Sequence, residues 1–117
     1  MIRRGEIYLT SFDPVVGREQ GGRRPALVVS VDSLNRRPLV VVTIPGTDGR
    51  QYARDFPSNV RVPAAESGLP LETVFLGFQV RALDPDRFPA KPWGRLPAAR
   101  MAEVDAALRH VLGLTRR

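Results

Sequence analysis

A glycine-rich loop that ends on paired guanidiniums is the segment of this sequence best suited to chemistry. It runs Asp13-Pro14-Val15-Val16-Gly17-Arg18-Glu19-Gln20-Gly21-Gly22-Arg23-Arg24-Pro25 and delivers a cation to the start of an apolar run. Glycine lets backbone amides approach an anion closely, and the proline after Arg24 holds that residue extended, so the loop suits a phosphate. A plain hairpin loop with an incidental arginine has the same appearance, and the segment alone leaves both readings open. Other chemistries are narrowed by what is missing. His110 is the single histidine. At 100° per residue it points away from Met101 on a helix, toward solvent, which leaves no two-histidine mechanism and no histidine metal cluster. Cysteine is absent, which excludes disulfides, thiolate nucleophiles and cysteine-ligated zinc. Asp84-Pro85-Asp86 is expected to be a turn rather than a metal-binding pair.

The elements that position this loop read as short strands. Ile7 to Phe12 is a first strand, followed by the loop from Asp13 to Arg23. Pro25 to Val31 and Leu39 to Ile44 are β-branched runs too apolar to face water, so they are expected at the centre of a sheet, joined by a connection from Asp32 to Pro38. A loop from Pro45 to Ser58 leads to a strand at Asn59–Val62, and a further loop through Pro70 leads to a long strand from Thr73 to Arg81. One helix is predicted, from near Pro97 to about Leu112, with Met101, Val104, Leu108 and Val111 on one stripe and Gly113 as its stop. Short strands at close spacing without intervening helices predict an antiparallel barrel, mainly β with a C-terminal α-helix lying on it.

At 117 residues the chain fits one domain, 1–117, with a single core. No apolar run is long enough to span a bilayer and the amino terminus lacks a secretory core, so the cytoplasm is the expected compartment. Eighteen Lys and Arg against twelve Asp and Glu give a net charge of +6, and all the cations but Lys91 are arginine. Guanidinium groups fork onto phosphates and stack on bases, which favours a polyanion partner without identifying one.

In order along the chain come Arg4-Gly5-Glu6-Ile7-Tyr8, Phe12-Asp13-Pro14, Gly17, Glu19-Gln20-Gly21-Gly22, Arg24-Pro25, Val28-Val29, Asp32 and Asn35. Pro45, Thr47, Glu66-Ser67-Gly68-Leu69, Gln79-Val80-Arg81 and Gly94-Arg95-Leu96 follow before the helix. This pattern, over nearly the whole chain, resembles the MazF/PemK toxins. The resemblance implies an SH3-like barrel of the MazF/CcdB type, usually a homodimer, that cuts single-stranded RNA without a metal or other cofactor, together with a cognate acidic antitoxin of the MazE type. It implies Arg24 and Thr47 as the catalytic pair and Glu19 as a further catalytic acid. Pro14, Gln20, Gly21, Gly22, Asn35 and Gln79 fall where the family contacts RNA. The chain departs from the family at Phe78, often acidic in relatives, and at Asp48, where Ser or Thr is common.

A ribonuclease without a metal must deprotonate the 2′-hydroxyl, stabilise charge on the phosphorane and protonate the leaving 5′-oxygen. Arg24 and Thr47 suit the charge, and Glu19 suits the base because a guanidinium rarely releases its proton near neutral pH. Arg24 and Thr47 are expected as polar tips at a surface groove. The alternative on the same barrel is a CcdB-like toxin that binds DNA gyrase and cuts nothing, which has no use for such a pair.

Overall fold

The computed structural model describes residues 1–37 and 39–114; Pro38, the last residue of the predicted connection, lies outside them. The strands are β1 (Glu6–Ser11), β2 (Arg23–Val28), β3 (Val41–Asp48), β4 (Asn59–Val62), β5 (Thr73–Leu76), β6 (Arg81–Leu83) and β7 (Gly94–Arg95). Two single-turn helices, α1 (Asp32–Asn35) and α2 (Ala64–Ser67), precede the long α3 (Ala98–Leu112). The strands form one curled antiparallel sheet in the order β4-β5-β3-β2-β1-β7, with β6 also pairing β3. The architecture is the predicted mainly-β antiparallel fold with a C-terminal helix, the barrel taking the form of a curled half-barrel sheet.

Strands this apolar must be covered on both faces, and they are. One face of β1, β2 and β3 presents Ile7, Leu27 and Ile44 to a core completed by Val60, Val62, Phe75 and the α3 residues Met101, Val104 and Ala107. The opposite face presents Tyr8, Val28 and Val41, and farther along Phe12 and Ala26, with Phe88 packed against both groups. Tyr8 and Phe88 meet edge to face with centroids 5.3 Å apart. The helix lies on the sheet by the predicted stripe, shifted by one position: Ala107 is buried, while Leu108 and Val111 are half-buried. Gly113, in a left-handed conformation at φ +68°, ends the helix, and its N–H bonds back to the last turn. His110 is exposed, as its angle from Met101 predicts.

Two predicted boundaries move for a common reason. The run Leu39–Ile44 does not stop at Pro45; β3 continues to Asp48 by changing partners. Its first half pairs β2 as far as Ala26↔Pro45, and its second half pairs β5 through Gly46↔Phe75, Thr47↔Val74 and Asp48↔Thr73. Proline donates no backbone hydrogen bond, so Pro25, whose nitrogen faces β3, ends the β2–β3 ladder where the strand must leave it, and Pro45 fixes the backbone angle at the bend. Gly46 makes the crossing possible, because a Cβ there would lie 2.7 Å from Thr73 Cγ2, 3.1 Å from Phe75 Cε1 and 3.2 Å from Pro25 Cβ. Similarly, the predicted strand Thr73–Arg81 is divided into β5 and β6 by a 3-10 turn at Gly77–Gln79. A Cβ on Gly77 would meet the Ser58 carbonyl oxygen at 2.5 Å, a contact that periodicity along the chain cannot reveal.

Gly46→Ala forces a methyl group against three side chains of limited freedom. It should lower Tm by roughly 4 °C or more, the effect of about 1 kcal/mol of overpacking in a domain of this size, measured by thermal melting followed by circular dichroism.

Candidate active site

The β2–β3 register brings the two main candidates together. Continuing the pairing Ala26↔Pro45 by two residues sets Arg24 opposite Thr47, beyond the point where the ladder stops. Their side chains take over: Arg24 Nη1 donates to Thr47 Oγ1 at 3.1 Å. Arg24 Nε also donates to the Gly21 carbonyl at 2.6 Å, tying the strand to the glycine-rich loop that precedes it. A guanidinium carries five N–H groups, so these two contacts leave it donors for a phosphate. Thr47 accepts from Arg24, which directs its own O–H elsewhere. Arg24 is half-buried, but Thr47 is only 5% exposed, a correction to its expected position as a surface tip. The burial follows from its place on β3 between β2 and β5, and its surroundings are polar at the one atom that matters.

Both residues border a cleft of about 180 Å³ that is also lined by Arg23, Gly46, Leu71 and Trp93. A second cleft, of about 280 Å³, is lined by Phe12, Glu19, Gln20, Phe78, Gln79 and Arg81. Arg24, from the first cleft, bonds Gly21, the chain neighbour of Gln20 in the second. Gln20 N donates to Gln79 Oε1 and Gln79 Nε2 to the Arg18 carbonyl, both at 3.3 Å, so the predicted partners Gln20 and Gln79 come together across 59 residues of chain. Glu19 is exposed in the same cleft, with Oε1 accepting from Val16 N at 2.7 Å. Among the described residues, no three His, Cys, Asp or Glu side chains converge as a metal-binding group.

The root of the loop is tied down by two arginines whose role is not marked in the sequence. Arg81 Nη1 donates to the Phe12 carbonyl at 2.5 Å and Nη2 to the Pro14 carbonyl at 3.4 Å. Arg87 Nη1 donates to the Ser11 and Asp13 carbonyls at 3.0 and 2.7 Å. Within the loop, Asp13 Oδ1 accepts from Gly22 N at 3.0 Å, and Gly21 passes so close that a Cβ would lie 2.8 Å from that carboxylate oxygen. Pro14, Gly21 and Gly22 therefore shape the loop's backbone beside Arg24. Only the turn character of Asp84-Pro85-Asp86 hinted at a return here: Asp84 Oδ1 accepts from Asp86 N at 2.8 Å and aims Arg87 back at the loop.

Asp48, one of the two departures, is occupied within the chain. Its carboxylate accepts from Arg50 N, Nε and Nη2, the last at 2.5 Å, and these bonds hold its pKa below the ordinary carboxylate value.

Asn35 is not part of this arrangement. It lies beyond the far end of β2, whereas Arg24 lies near its start, and it is 2% exposed. Its amide donates to the Ser30 carbonyl at 2.9 Å and to Asp32 Oδ1 at 3.2 Å, and its oxygen accepts from Ser30 Oγ at 2.6 Å. The predicted role in RNA contact is corrected to that of a structural anchor, because every polar atom of the side chain is already bonded inside the protein. Asn35→Ala should cost roughly 1–3 kcal/mol through the unpaired groups it leaves, seen as a Tm several degrees lower, while turnover per folded molecule at the Arg24–Thr47 site stays at the parental value.

With the geometry described, comparison with known proteins adds the lineage. Residues 3–112 match the family described as PemK-like, MazF-like toxin of type II toxin-antitoxin system. The chain is 39% identical over 114 residues to an endoribonuclease MazF of Staphylococcus epidermidis, covering 97% of this chain and 93% of that one. It superposes on the crystal structure of MazF from Deinococcus radiodurans with a TM-score of 0.80 at 33% identity, covering 97% of each chain. A MazE-MazF crystal structure from the same organism matches with a TM-score of 0.75 at 32% identity, over 97% of this chain and 98% of that one. The match spans the curled sheet and its closing helix alike, and the chain belongs to the PemK-like, MazF-like toxins of type II toxin–antitoxin systems.

Proposed function

We propose that this toxin is a sequence-specific endoribonuclease that cuts single-stranded RNA without a metal, through attack of the 2′-hydroxyl on the adjacent phosphate. The observation that carries the reading is the 3.1 Å contact between Arg24 Nη1 and Thr47 Oγ1, which joins a forked cation and a hydroxyl donor at the mouth of one cleft. In this scheme the phosphate sits against both groups. As the 2′-oxygen attacks, charge grows on the non-bridging oxygens, where the Arg24 guanidinium and the Thr47 O–H donate. The 5′-oxygen leaves with a proton delivered from the Arg24 side, and the carboxylate of Glu19 assists removal of the 2′-hydroxyl proton after RNA has drawn the loop inward. Pro14, Gly21 and Gly22 shape the groove, and Gln20 and Gln79 offer amides to base edges. The products are a 2′,3′-cyclic phosphate and a 5′-hydroxyl.

The partners follow from the family. An acidic antitoxin of the MazE type suits a chain of net charge +6, and a disordered acidic peptide that folds on binding would cover the groove. The toxin is proposed to act as a homodimer. A gyrase-binding toxin on the same barrel would gain nothing from the Arg24–Thr47 contact, so that alternative is set aside.

Arg24→Ala and Thr47→Ala should each lower the cleavage rate on a long single-stranded transcript by roughly a hundredfold or more, the usual effect of losing one donor to a developing oxyanion. Each variant should also melt a few degrees lower, because Arg24→Ala removes the bonds to Gly21 and to buried Thr47, and Thr47→Ala removes the buried hydroxyl, so cleavage is compared per folded molecule. Thr47→Ser keeps the hydroxyl and should retain most activity. The assay is run in EDTA with end-group analysis; 5′-phosphate ends, or parental rates in either alanine variant, would refute the scheme.

A further inference from the structure

Two phenyl rings stand exposed side by side next to the Gln20–Gln79 bridge. Phe56 is 43% and Phe78 is 47% exposed, and together with Tyr52 and Asn59 they line a predominantly apolar cleft of about 330 Å³. The pairing is built into the fold: Gly77 packs against the Ser58 carbonyl, so the turn carrying Phe78 meets the segment that carries Phe56. Phe78 belongs to both clefts, with Glu19, Gln20 and Gln79 on one side and Phe56 on the other. The Arg54 guanidinium carbon lies 5.5 Å from the centroid of the Phe56 ring, which adds a cation at the outer edge.

Exposed phenyl rings are unfavourable in water unless something covers them. A polar groove that offers amide edges, then an aromatic surface, then a guanidinium presents in sequence what a nucleotide has to offer: a base edge, a π face and a phosphate. We infer that Phe78, with Phe56 beside it, is a stacking shelf for a nucleobase of the RNA strand lying next to the cut nucleotide, and so a specificity-determining element of this toxin. The inference rests on the endoribonuclease reading and deepens it. Its occupant is a base rather than an apolar side chain of a peptide, because the shelf is continuous with the Gln20–Gln79 groove and capped by Arg54. Phe78 takes no part in bond making; it fixes which base is held and how firmly.

The test uses the full chain and an oligoribonucleotide matching a mapped cleavage site, with a 2′-deoxy sugar at the cut and 2-aminopurine placed in turn at each flanking position. Binding to the parent should quench 2-aminopurine at one position, through stacking on the ring. Phe78→Leu keeps the apolar volume but not the π face. It should abolish that quench, raise KM on the all-ribose substrate about tenfold with kcat within about twofold, and relax base preference at that position, whereas Phe78→Tyr should restore all three. Phe56→Ala should show a smaller change of the same kind. If Phe78→Leu quenches and cleaves as the parent does, the shelf is wrong while the nuclease reading stands. If it instead weakens only an acidic antitoxin-type peptide, the surface is a peptide site and the inference is overturned. If the quench through Phe78 persists while Arg24→Ala cuts the all-ribose substrate as fast as the parent, the shelf stands and the proposed nuclease site falls.

Discussion

The structure depends on β3 exchanging β2 for β5 as its partner at Pro45-Gly46, within one curled sheet. A strand can change partners only where its first ladder ends cleanly and its backbone can pass close to what lies between. Pro25 supplies the first condition by having no N–H to donate to β3, with Pro45 fixing the backbone angle at the bend, and Gly46 supplies the second, with Thr73, Phe75 and Pro25 all within 3.2 Å of where a Cβ would stand. Two residues past the end of that ladder are Arg24 and Thr47. They face each other because the register continues, yet their side chains rather than their backbones make the contact. The site geometry is thus set by two imino acids and a glycine. The charged and hydroxyl groups occupy a position that backbone chemistry has already defined.

That view also sorts the arginines. A net charge of +6 suggests a surface of phosphate-seeking guanidiniums, but many of them are engaged within the fold. Arg61 bridges Asp55 and Glu72, Arg100 bridges Glu66 and Glu103, and Arg4 pairs with Asp105. Arg81 and Arg87 hold carbonyls at the root of the glycine-rich loop. These contacts draw on the planar, multi-donor fork of the side chain, which a lysine lacks. The excess of arginine therefore has two origins. One is a scaffold of forked donors that rigidify loops, and the other is a smaller group, including Arg24 and the exposed Arg23, that borders the cleft.

Local pattern carried a large part of this into the sequence. The β-branched runs around Val28 and Val42 announced strands buried on both faces, and the alternation Asn59-Val60-Arg61-Val62 marked β4 with its correct ends. The helix stripe and its glycine stop needed only a one-residue shift. The information that was missing is tertiary. Nothing near Gly77 says that the Ser58 carbonyl will press on it and break a promising strand. At Asn35 the partners Ser30 and Asp32 are close in sequence, but only the turn at α1 shows that they use up its amide. The pairing of Arg24 with Thr47 came from family resemblance; the residues alone offered a cation after a glycine loop. Arg87 was illegible for the same reason, since its role is to reach carbonyls 74 to 76 residues away in the chain.

The two departures from the family pattern have different physical consequences. A carboxylate beside Thr47 should repel a phosphate, and at Asp48 it would do so if it stood alone. Arg50 prevents this by binding it through one backbone and two side-chain nitrogens, which keeps the acid ionised and its charge paired. The local field at the end of β3 is then close to that of a neutral neighbour, and Arg24 is left to set the sign of the potential over the cleft. Phe78 has no such compensation. Its exposed ring places an uncharged aromatic face in the wall of the Glu19 cleft. Substitution of Asp48 is thus absorbed within its own turn of chain, whereas substitution at Phe78 changes what the groove presents to a ligand, and differences in base preference between this toxin and its relatives should originate there.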